Sequence, residues 1–332
     1  MLYALSQEKK LILATKAQKG EKYYCPSCHQ NVLLKKGSLR LPHFAHYKKQ
    51  CQSFSEGETA QHLLGKQLLA QLFWQMGCLV QIEAYLTDLK QRPDLLVTTP
   101  NNVTYAIEYQ CAPLSVKKMV ARSRGYAKKG WKCWWILGTK HLLKQKMTQQ
   151  KAQFMHYSNK VGCYLIYLDT QMRRLLLYYN ICCDNFLHLR YQRATFKDLA
   201  ELSVFLKKKH QQKSLMFSSS LSKKQQQQLA YLCWQENGIL HQLQIACYQQ
   251  HYRLQDIYNQ IIPKEYLAPF FYQYPFIWQI WVFLQADCTT SQAQQFLQKS
   301  LFETPFIVTT KWQQNQIRKL QARIQMASDE GG

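Results

Sequence analysis

Apolar and polar positions between residues 55 and 138 follow the order of a small α/β unit. A helix is predicted from Ser55 to about Met76, and Gly77 is suited to end it. Apolar runs typical of strands follow, with a second helix before the last of them. The predicted strands span 78–86, 94–98, 103–110 and 131–137, and the second helix spans 115–129. This order predicts a three-stranded meander and a fourth strand that is reached through a helical crossover.

The pattern along the whole chain predicts an α/β (α+β) protein of several regions. Within the third region, a hairpin with arms 163–168 and 175–180 precedes a helix from Thr195 to Lys209. The four predicted regions are a zinc-finger-like, zinc-ribbon-like module at 1–54, the α/β unit at 55–150, a β-hairpin plus helix extension at 151–211, and a mostly helical C-terminal domain at 212–332.

The charge balance narrows the classes of function. The chain carries 43 Lys and Arg residues against 19 Asp and Glu residues, and its net charge of +24 favours nucleic acid or an anionic membrane as the partner. No uncharged apolar run reaches the roughly 18 residues that bilayer insertion needs. The nearest, from Pro269 to Ala286, is interrupted by glutamines and predicts a buried helix. The apolar share of 47% excludes a disordered basic tail.

The N-terminal residues and the cysteines indicate the cellular compartment of the protein. The first ten residues lack the basic-then-apolar pattern of a signal peptide, so we expect a cytoplasmic protein. Twelve cysteines in a reducing compartment predict free thiols and one metal site rather than a disulfide framework.

Cys25-x2-Cys28 and His43-x2-His46 offer four zinc ligands as two close pairs, with fourteen residues between them. Zn²⁺ takes four such ligands in a tetrahedron, and a closed site of this kind is structural, folding a segment too small for its own core. Alternatively, the histidines flank a buried Phe44 and the cysteines are incidental. Two other side chains are alternative fourth ligands: Cys51 and His29.

Two acids lie inside apolar, strand-like runs of a chain in which acids are scarce. Asp94 follows Arg92-Pro93, and Glu108 lies in Ala106-Ile107-Glu108-Tyr109-Gln110. An acid in such a run is costly unless its charge is used or paired. Glu108 and Gln110 are two residues apart and point to the same face of a strand. Two converging carboxylates form an oxygen site for a hard cation such as Mg²⁺, whose partner in a basic protein is a phosphodiester.

Each acid also has a purely structural interpretation. Asp94 fits a turn or the start of a strand after proline, and Glu108 fits an ion pair with a nearby lysine. Ser55-x-x-Glu58 fits a capping box.

The first predicted helix carries further polar side chains toward the acids. Glu58 and His62 lie at i and i+4 on one helix face, and Lys66 continues the same stripe. A helix that crosses the sheet would place this stripe opposite Asp94 and Glu108.

These motifs together resemble a known family. Pro93-Asp94 and Glu108-Tyr109-Gln110 resemble the two motifs of the PD-(D/E)xK nuclease-like fold. The Cys-Pro-x-Cys knuckle, His-Phe-Ala-His, the Glu58/His62 helix, Arg-Pro-Asp and Glu-x-Gln make residues 1 to about 140 similar to the CoiA family of competence proteins. That family is linked to genetic transformation and to the processing or recombination of incoming DNA.

The resemblance implies catalytic roles for four residues. Asp94 and Glu108 would bind Mg²⁺ or Mn²⁺, and Glu58 would complete or support that site. Gln110 stands where most of these nucleases have lysine, so it can orient water but supplies no charge. Lys66 or Lys117 is the candidate replacement. A Mg-dependent endonuclease or exonuclease is expected, and the alternative is a non-catalytic DNA-binding recombination scaffold that keeps the fold.

The basic residues predict how DNA is held. The residues expected to contact phosphates are Lys66, Lys117, Lys118, Arg122 and Arg124. Counterion release would make this binding strongly dependent on salt. No motif that reads a DNA groove is visible, so single-stranded or branched DNA is expected over a specific duplex sequence, with recombination proteins as further partners. A sequence-specific transcription factor is the least supported reading.

Overall fold

The structure is a computed structural model that describes residues 1–26, 28–37, 42–47, 59–210, 223–235, 238, 240–262, 266–285, 288–307 and 309–329. The chain forms two compact units. The first contains residues 1–142, 165–178 and 193–208, and the second contains residues 143–164, 179–192 and 209–332.

The first unit begins with a five-stranded antiparallel sheet in the order β2-β1-β3-β4-β5. Its strands are β1 Tyr3–Leu5, β2 Leu11–Leu13, β3 Tyr23–Tyr24, β4 Asn31–Lys35 and β5 His43–His46. Its core is small: Tyr23 and Phe44 are almost fully buried, and their ring centroids lie 4.9 Å apart. A core of this size is too small to stabilise the module by itself, which is consistent with the zinc site predicted from the sequence.

The predicted α/β unit follows with the expected order of elements. Its elements are α1 Ala60–Gln75, β6 Leu79–Ile82, β7 Leu95–Thr98, β8 Thr104–Gln110, α2 Val116–Lys128 and β9 Lys132–Gly138. Strands β6, β7 and β8 form the antiparallel meander, and β9 pairs with β8 in parallel after the α2 crossover. The αβββαβ core predicted from the sequence is therefore confirmed.

The ends of both helices follow from local chemistry. The Thr59 side chain accepts from the backbone N–H of His62 and caps α1, whereas the predicted capping box, Ser55 to Glu58, lies outside the described residues. Gly77 ends α1 at a φ of +74°, which only glycine adopts without strain.

Helices α1 and α2 pack on opposite faces of β8. A Cβ atom on Gly65 of α1 would lie 2.0 Å from the Tyr109 ring, so only glycine allows this approach. Tyr126 of α2 instead reaches Glu108. Because neighbouring strand residues point to opposite faces, Tyr109 faces α1 and Glu108 faces α2.

The sheet of the first unit continues beyond β9. The strands after β9 are β10 His156–Ser158, β11 Gly162–Asp169, β12 Arg174–Cys183 and β13 Leu189–Phe196. A 3₁₀ turn at Thr139–His141 and the short α3, Gln149–Ala152, precede them, and α4 Leu199–Lys207 follows them. The strand order of the sheet is β6-β7-β8-β9-β11-β12-β13, and β10 pairs with β11 outside this order. The hairpin is confirmed. The helix predicted from Thr195 is wrong at its start, because Thr195 belongs to β13 and Asp198 caps α4.

The second unit is built mainly from helices. They are α5 Lys223–Trp234, α6 His241–Gln249, α7 Leu254–Ile261, α8 Phe276–Leu284, α9 Thr290–Gln298 and α10 Thr310–Asp329. Helix α8 lies at the centre of their apolar core, and even Gln279 on it is buried. This confirms the buried helix predicted near residues 269–286. None of the helices in the described ranges combines the length and apolarity that a membrane span requires.

Candidate functional site

The turn between β3 and β4 brings two cysteines together. The Cys25 N–H donates to the Gln30 carbonyl at 2.9 Å, and the His29 N–H donates to the Cys25 carbonyl at 2.9 Å. His29 adopts a φ of +56°, which tightens the turn. The Sγ atoms of Cys25 and Cys28 and a ring nitrogen of His46 all lie within 4.8 Å of one another.

The structure separates the two histidines of the predicted zinc site. His43 and His46 lie on β5, where they pair with Lys35 and Val32 of β4. Residues three apart on a strand point to opposite faces, so only His46 joins the cysteines. The spacing predicts a close pair only if His-x2-His forms a knuckle, whereas these residues form strand β5.

The donors present fit a metal such as zinc. Two thiolates and an imidazole are ligands that Zn²⁺ prefers, and Cys28 Sγ lies 4.0 Å from His46 Nε2. Burial, the N-terminal charge and Arg92 lower the pKa of His46, which favours the neutral imidazole that a metal needs. Of the two alternative fourth ligands, His29 is outside the cluster and Cys51 lies outside the described residues.

The acidic site lies where β7 and β8 pair. Leu95 pairs with Ile107, so Asp94, one residue before β7, lies beside Glu108. The Tyr109 N–H donates to Asp94 Oδ2 at 2.8 Å. The two strand acids singled out from the sequence are therefore neighbours in the structure.

Helix α1 supplies the cationic partners of Asp94. His62 Nε2 lies 3.1 Å from Asp94 Oδ2, and Lys66 Nζ lies 3.9 Å from Oδ1. Burial opposes the ionisation of Asp94, but the charges of His62 and Lys66 outweigh it and hold the pKa of this carboxyl well below its usual range. The predicted stripe of α1 thus does face the acids.

Helix α2 supplies the partners of Glu108. The Arg122 guanidinium donates to Glu108 at 2.7 Å, and the Tyr126 hydroxyl donates at 2.5 Å. Burial raises the pKa of the Glu108 carboxyl to about 7, although the positive charge of Arg122 acts to lower this pKa. The alternative interpretation of Glu108 as an ion-pair residue is confirmed, with Arg122 in place of a lysine.

A third acid completes this polar network. Glu83, just after β6, pairs with the fully buried Lys66, lies 3.7 Å from Arg92 and accepts from the Leu2 N–H at 3.0 Å. Sequence reasoning missed Glu83, Arg92 and Tyr126. The signal that found Asp94 applies equally to Glu83, which is also an acid inside a strand-like apolar run of a basic chain.

The remaining predicted residues fall into two groups. Gln110 is buried, and its amide nitrogen donates to the Ala112 carbonyl at 2.6 Å. Lys66 and Arg122, which were predicted to hold phosphates, are turned inward into ion pairs because each compensates a buried carboxylate. Three predicted DNA contacts are exposed on α2: Lys117, Lys118 and Arg124. Glu58 lies outside the described residues.

The acid pair does not form a ready metal site in this conformation. Within the described ranges, the only group of three metal-ligating side chains is that of Cys25, Cys28 and His46. Asp94 and Glu108 offer oxygen donors of the right kind, but Arg122 and Tyr126 engage the Glu108 carboxylate. A divalent cation at this pair requires Arg122 to leave Glu108.

A zinc-ribbon-like module followed by an αβββαβ core with strand acids defines a nuclease-like protein of the PD-(D/E)xK type. Two family models match the chain: the N-terminal domain of competence protein CoiA over residues 5–54, and its nuclease-like domain over residues 58–205. The chain belongs to the competence protein CoiA family.

A curated relative supports this assignment. The chain is 31% identical over 141 residues to "Competence protein CoiA" of Bacillus subtilis (strain 168), an alignment that covers 42% of this chain and 37% of that protein. The match thus spans well under half of the relative's length. No solved structure matches the chain.

Proposed function

We propose that this chain processes incoming DNA in genetic competence, as a nuclease-like factor whose working centre is Asp94 and Glu108. The observation that carries the proposal is the position of the Asp94 carboxyl, which lies next to Glu108 where β7 and β8 pair and 3.9 Å from the Lys66 ammonium. Buried charges with shifted pKa values cluster at functional sites more often than elsewhere. Its place of action would be the cytoplasm, with recombination proteins as partners.

Lys66 is proposed to supply the charge that Gln110 lacks. It reaches Asp94 from α1, on the face of β8 opposite to Glu108 and Gln110. Its ion pair with Glu83 fixes the ammonium group in place. A fixed cation beside Asp94 offsets part of the negative charge that would gather at the acid pair, without contacting the phosphate itself.

Mg²⁺ or Mn²⁺ is the proposed cofactor of the acid pair, with Asp94 and Glu108 as its protein ligands. Such an ion polarises a phosphodiester and lowers the pKa of a bound water. Zn²⁺ is the proposed structural ion at Cys25, Cys28 and His46.

DNA is proposed to lie along α2. Its exposed Lys117, Lys118 and Arg124 follow β8 directly and bring positive charge next to the acid pair. Each phosphate contact adds about 0.7 to 0.9 to the slope of log affinity against log salt, so replacing all three by glutamine should lower that slope by roughly 2 to 3. Single-stranded or branched DNA is the expected substrate.

A non-catalytic DNA-binding scaffold is the second candidate function. The specific observation in its favour is the ion pair between Glu108 and Arg122, which compensates the buried carboxylate without any metal. In that case the acids would only stabilise the fold.

Cleavage and binding measured together distinguish the two candidates. Single-stranded, duplex and branched DNA would be incubated with the chain and Mg²⁺, Mn²⁺ or EDTA. Asp94→Asn and Glu108→Gln would be compared with Asp88→Asn, which changes an exposed acid. The nuclease predicts metal-dependent cutting that only the first two substitutions abolish, with DNA binding retained. Binding without cutting on every substrate would establish the scaffold.

A further inference from the structure

Building on the proposed function, we propose that Arg122 gates the acid pair. Without DNA, Arg122 pairs with the Glu108 carboxylate and prevents a divalent cation from binding between Asp94 and Glu108. A DNA phosphate takes the guanidinium in place of Glu108, and the freed carboxylate then completes the metal site with Asp94.

The structure shows the closed state of the gate, in which Arg122 is paired with Glu108. The Glu108 side chain is 2% exposed, and Arg122 and Tyr126 both donate to it. A divalent cation at these oxygens would meet the guanidinium at contact distance, and like charges this close repel strongly at a buried site. The cation and Arg122 therefore compete for Glu108.

Arg122 is nevertheless within reach of DNA. Its side chain is 29% exposed, against 2% for Glu108, so part of the guanidinium faces solvent. It lies on α2, one turn after the exposed Lys118, so the two side chains lie on the same face of the helix. A phosphate that Lys118 attracts therefore arrives next to Arg122.

The guanidinium has other contacts that hold it near this position when Glu108 is released. It donates to the Arg92 carbonyl at 3.2 Å and lies 5.7 Å from the centre of the Trp135 ring. The planar guanidinium presents five donors and binds phosphate oxygens in pairs, as it binds a carboxylate. A small rotation would exchange one anion for the other without unfolding α2.

The gate makes a thermodynamic prediction that a static ion pair does not. If DNA weakens the contact between Arg122 and Glu108, it must raise the affinity of the acid pair for a divalent cation. By reciprocity, the cation must raise the affinity for DNA by the same factor. Coupling between two binding sites typically changes each affinity by about 5- to 150-fold. A static ion pair predicts no coupling through Glu108.

Binding of Mn²⁺ to the full-length protein, followed by the electron paramagnetic resonance signal of the free ion, tests the gate. Titrations would be made with and without a saturating phosphorothioate oligonucleotide that resists cutting. The same mixtures with Glu108→Gln subtract the Mn²⁺ held by the DNA and by other parts of the chain. What remains is the Glu108-dependent site.

Wild type and Arg173→Gln, a matched change at an exposed arginine of the same unit, should each gain about tenfold in Mn²⁺ affinity when DNA is added. Arg122→Gln should bind Mn²⁺ tightly without DNA and gain less than about twofold from it. The gate would be overturned if DNA left the Mn²⁺ affinity of the wild type unchanged. It would also be overturned if a folded Arg122→Gln variant, measured without DNA, bound Mn²⁺ no more tightly than wild type does.

A second readout keeps the test decisive if Arg122→Gln does not fold. Mn²⁺ should raise the DNA affinity of the wild type about tenfold and leave that of Glu108→Gln unchanged. Equal gains in the two proteins would refute the gate. Failure of the gate can be distinguished from failure of the proposed function, because the protein can still cut DNA if DNA does not change its affinity for Mn²⁺.

Discussion

The two candidate metal sites of the first unit differ in what their ligands do without a metal. In the N-terminal module, two thiols and an imidazole gather within 4.8 Å of one another. In the nuclease-like core, each carboxylate is engaged by basic side chains: Asp94 by His62 and Lys66, and Glu108 by Arg122.

This difference is consistent with the two proposed roles, a structural ion that is held permanently and a catalytic ion that is bound conditionally. A structural zinc site contributes directly to folding and has no competitor for its ligands to displace. A carboxylate pair inside a core must be compensated when the ion is absent, since an unpaired buried charge costs several kcal/mol. The internal cations of the core provide that compensation.

Removing the cysteines should have the largest effect. With Cys25→Ser and Cys28→Ser combined, we expect bound zinc to fall from about one per chain to none and the N-terminal module to unfold, because structural zinc contributes roughly 10 kcal/mol or more to small modules. Metal analysis and limited proteolysis measure both effects. Cys288→Ser, in the other unit, is the control and should keep its zinc. Full zinc content in the double variant would refute this site.

Lys66→Met should have the next largest effect. It removes the buried partner of Glu83 and a cationic neighbour of Asp94, and breaking a buried pair on one side costs about 3 to 5 kcal/mol. Chemical denaturation measures this loss in the free energy of unfolding. Lys117→Met, on the exposed face of α2, should stay within about 0.5 kcal/mol of wild type. Equal losses in both variants would contradict the buried network.

The two histidines of β5 should respond unequally. His46→Ala should weaken zinc binding by about 100-fold or more, as expected for the loss of a direct ligand, since even partners behind the ligands contribute 10- to 100-fold. His43→Ala should leave the affinity nearly unchanged, because its side chain points to the other face of the strand. Competition with a chromophoric chelator measures both. Comparable losses in the two variants would instead support the four-ligand site predicted from the sequence spacing.

The smallest effect concerns pH. Burial raises the pKa of Glu108 to about 7, above its ordinary value of 4.5, so the folded protein holds this proton more tightly than the unfolded chain does. The contribution of Glu108 to stability is then fully present below pH 4.5 and is lost as pH rises toward 7. Glu108→Gln should flatten the pH dependence of the unfolding free energy in this window. An unchanged slope would show that Arg122 keeps Glu108 ionised throughout.

Much of the core fold could be predicted because its signals are local. The apolar runs and the glycine at position 77 predict the order of α1, β6, β7, β8, α2 and β9, whereas the register of β7 against β8 is seen only in the structure. Strand β13 was missed since Thr195 and Asp198 fit a helix start as well as a strand end. That choice depends on pairing with β12, which is a tertiary contact.

The candidate site was predictable in its acids but not in their partners. A scarce acid inside an apolar run is visible in the sequence, and that signal found Asp94 and Glu108. Which of the many basic residues compensates each acid depends on which face of β8 a helix covers. The sequence therefore predicts phosphate contacts for Arg122 and Lys66, and only the structure shows that Arg122 pairs with Glu108 and that Lys66 is fully buried.

Diffraction from crystals of the chain grown with DNA and Mn²⁺ would show whether the acid pair binds a metal. The anomalous signal of manganese locates the ion without reference to any refined side chain. We expect an anomalous peak between Asp94 and Glu108, with the Arg122 guanidinium on a DNA phosphate. DNA bound along α2 with no peak at the acids, and Arg122 still on Glu108, would show that the acid pair is structural and that the nuclease-like core does not bind a catalytic metal.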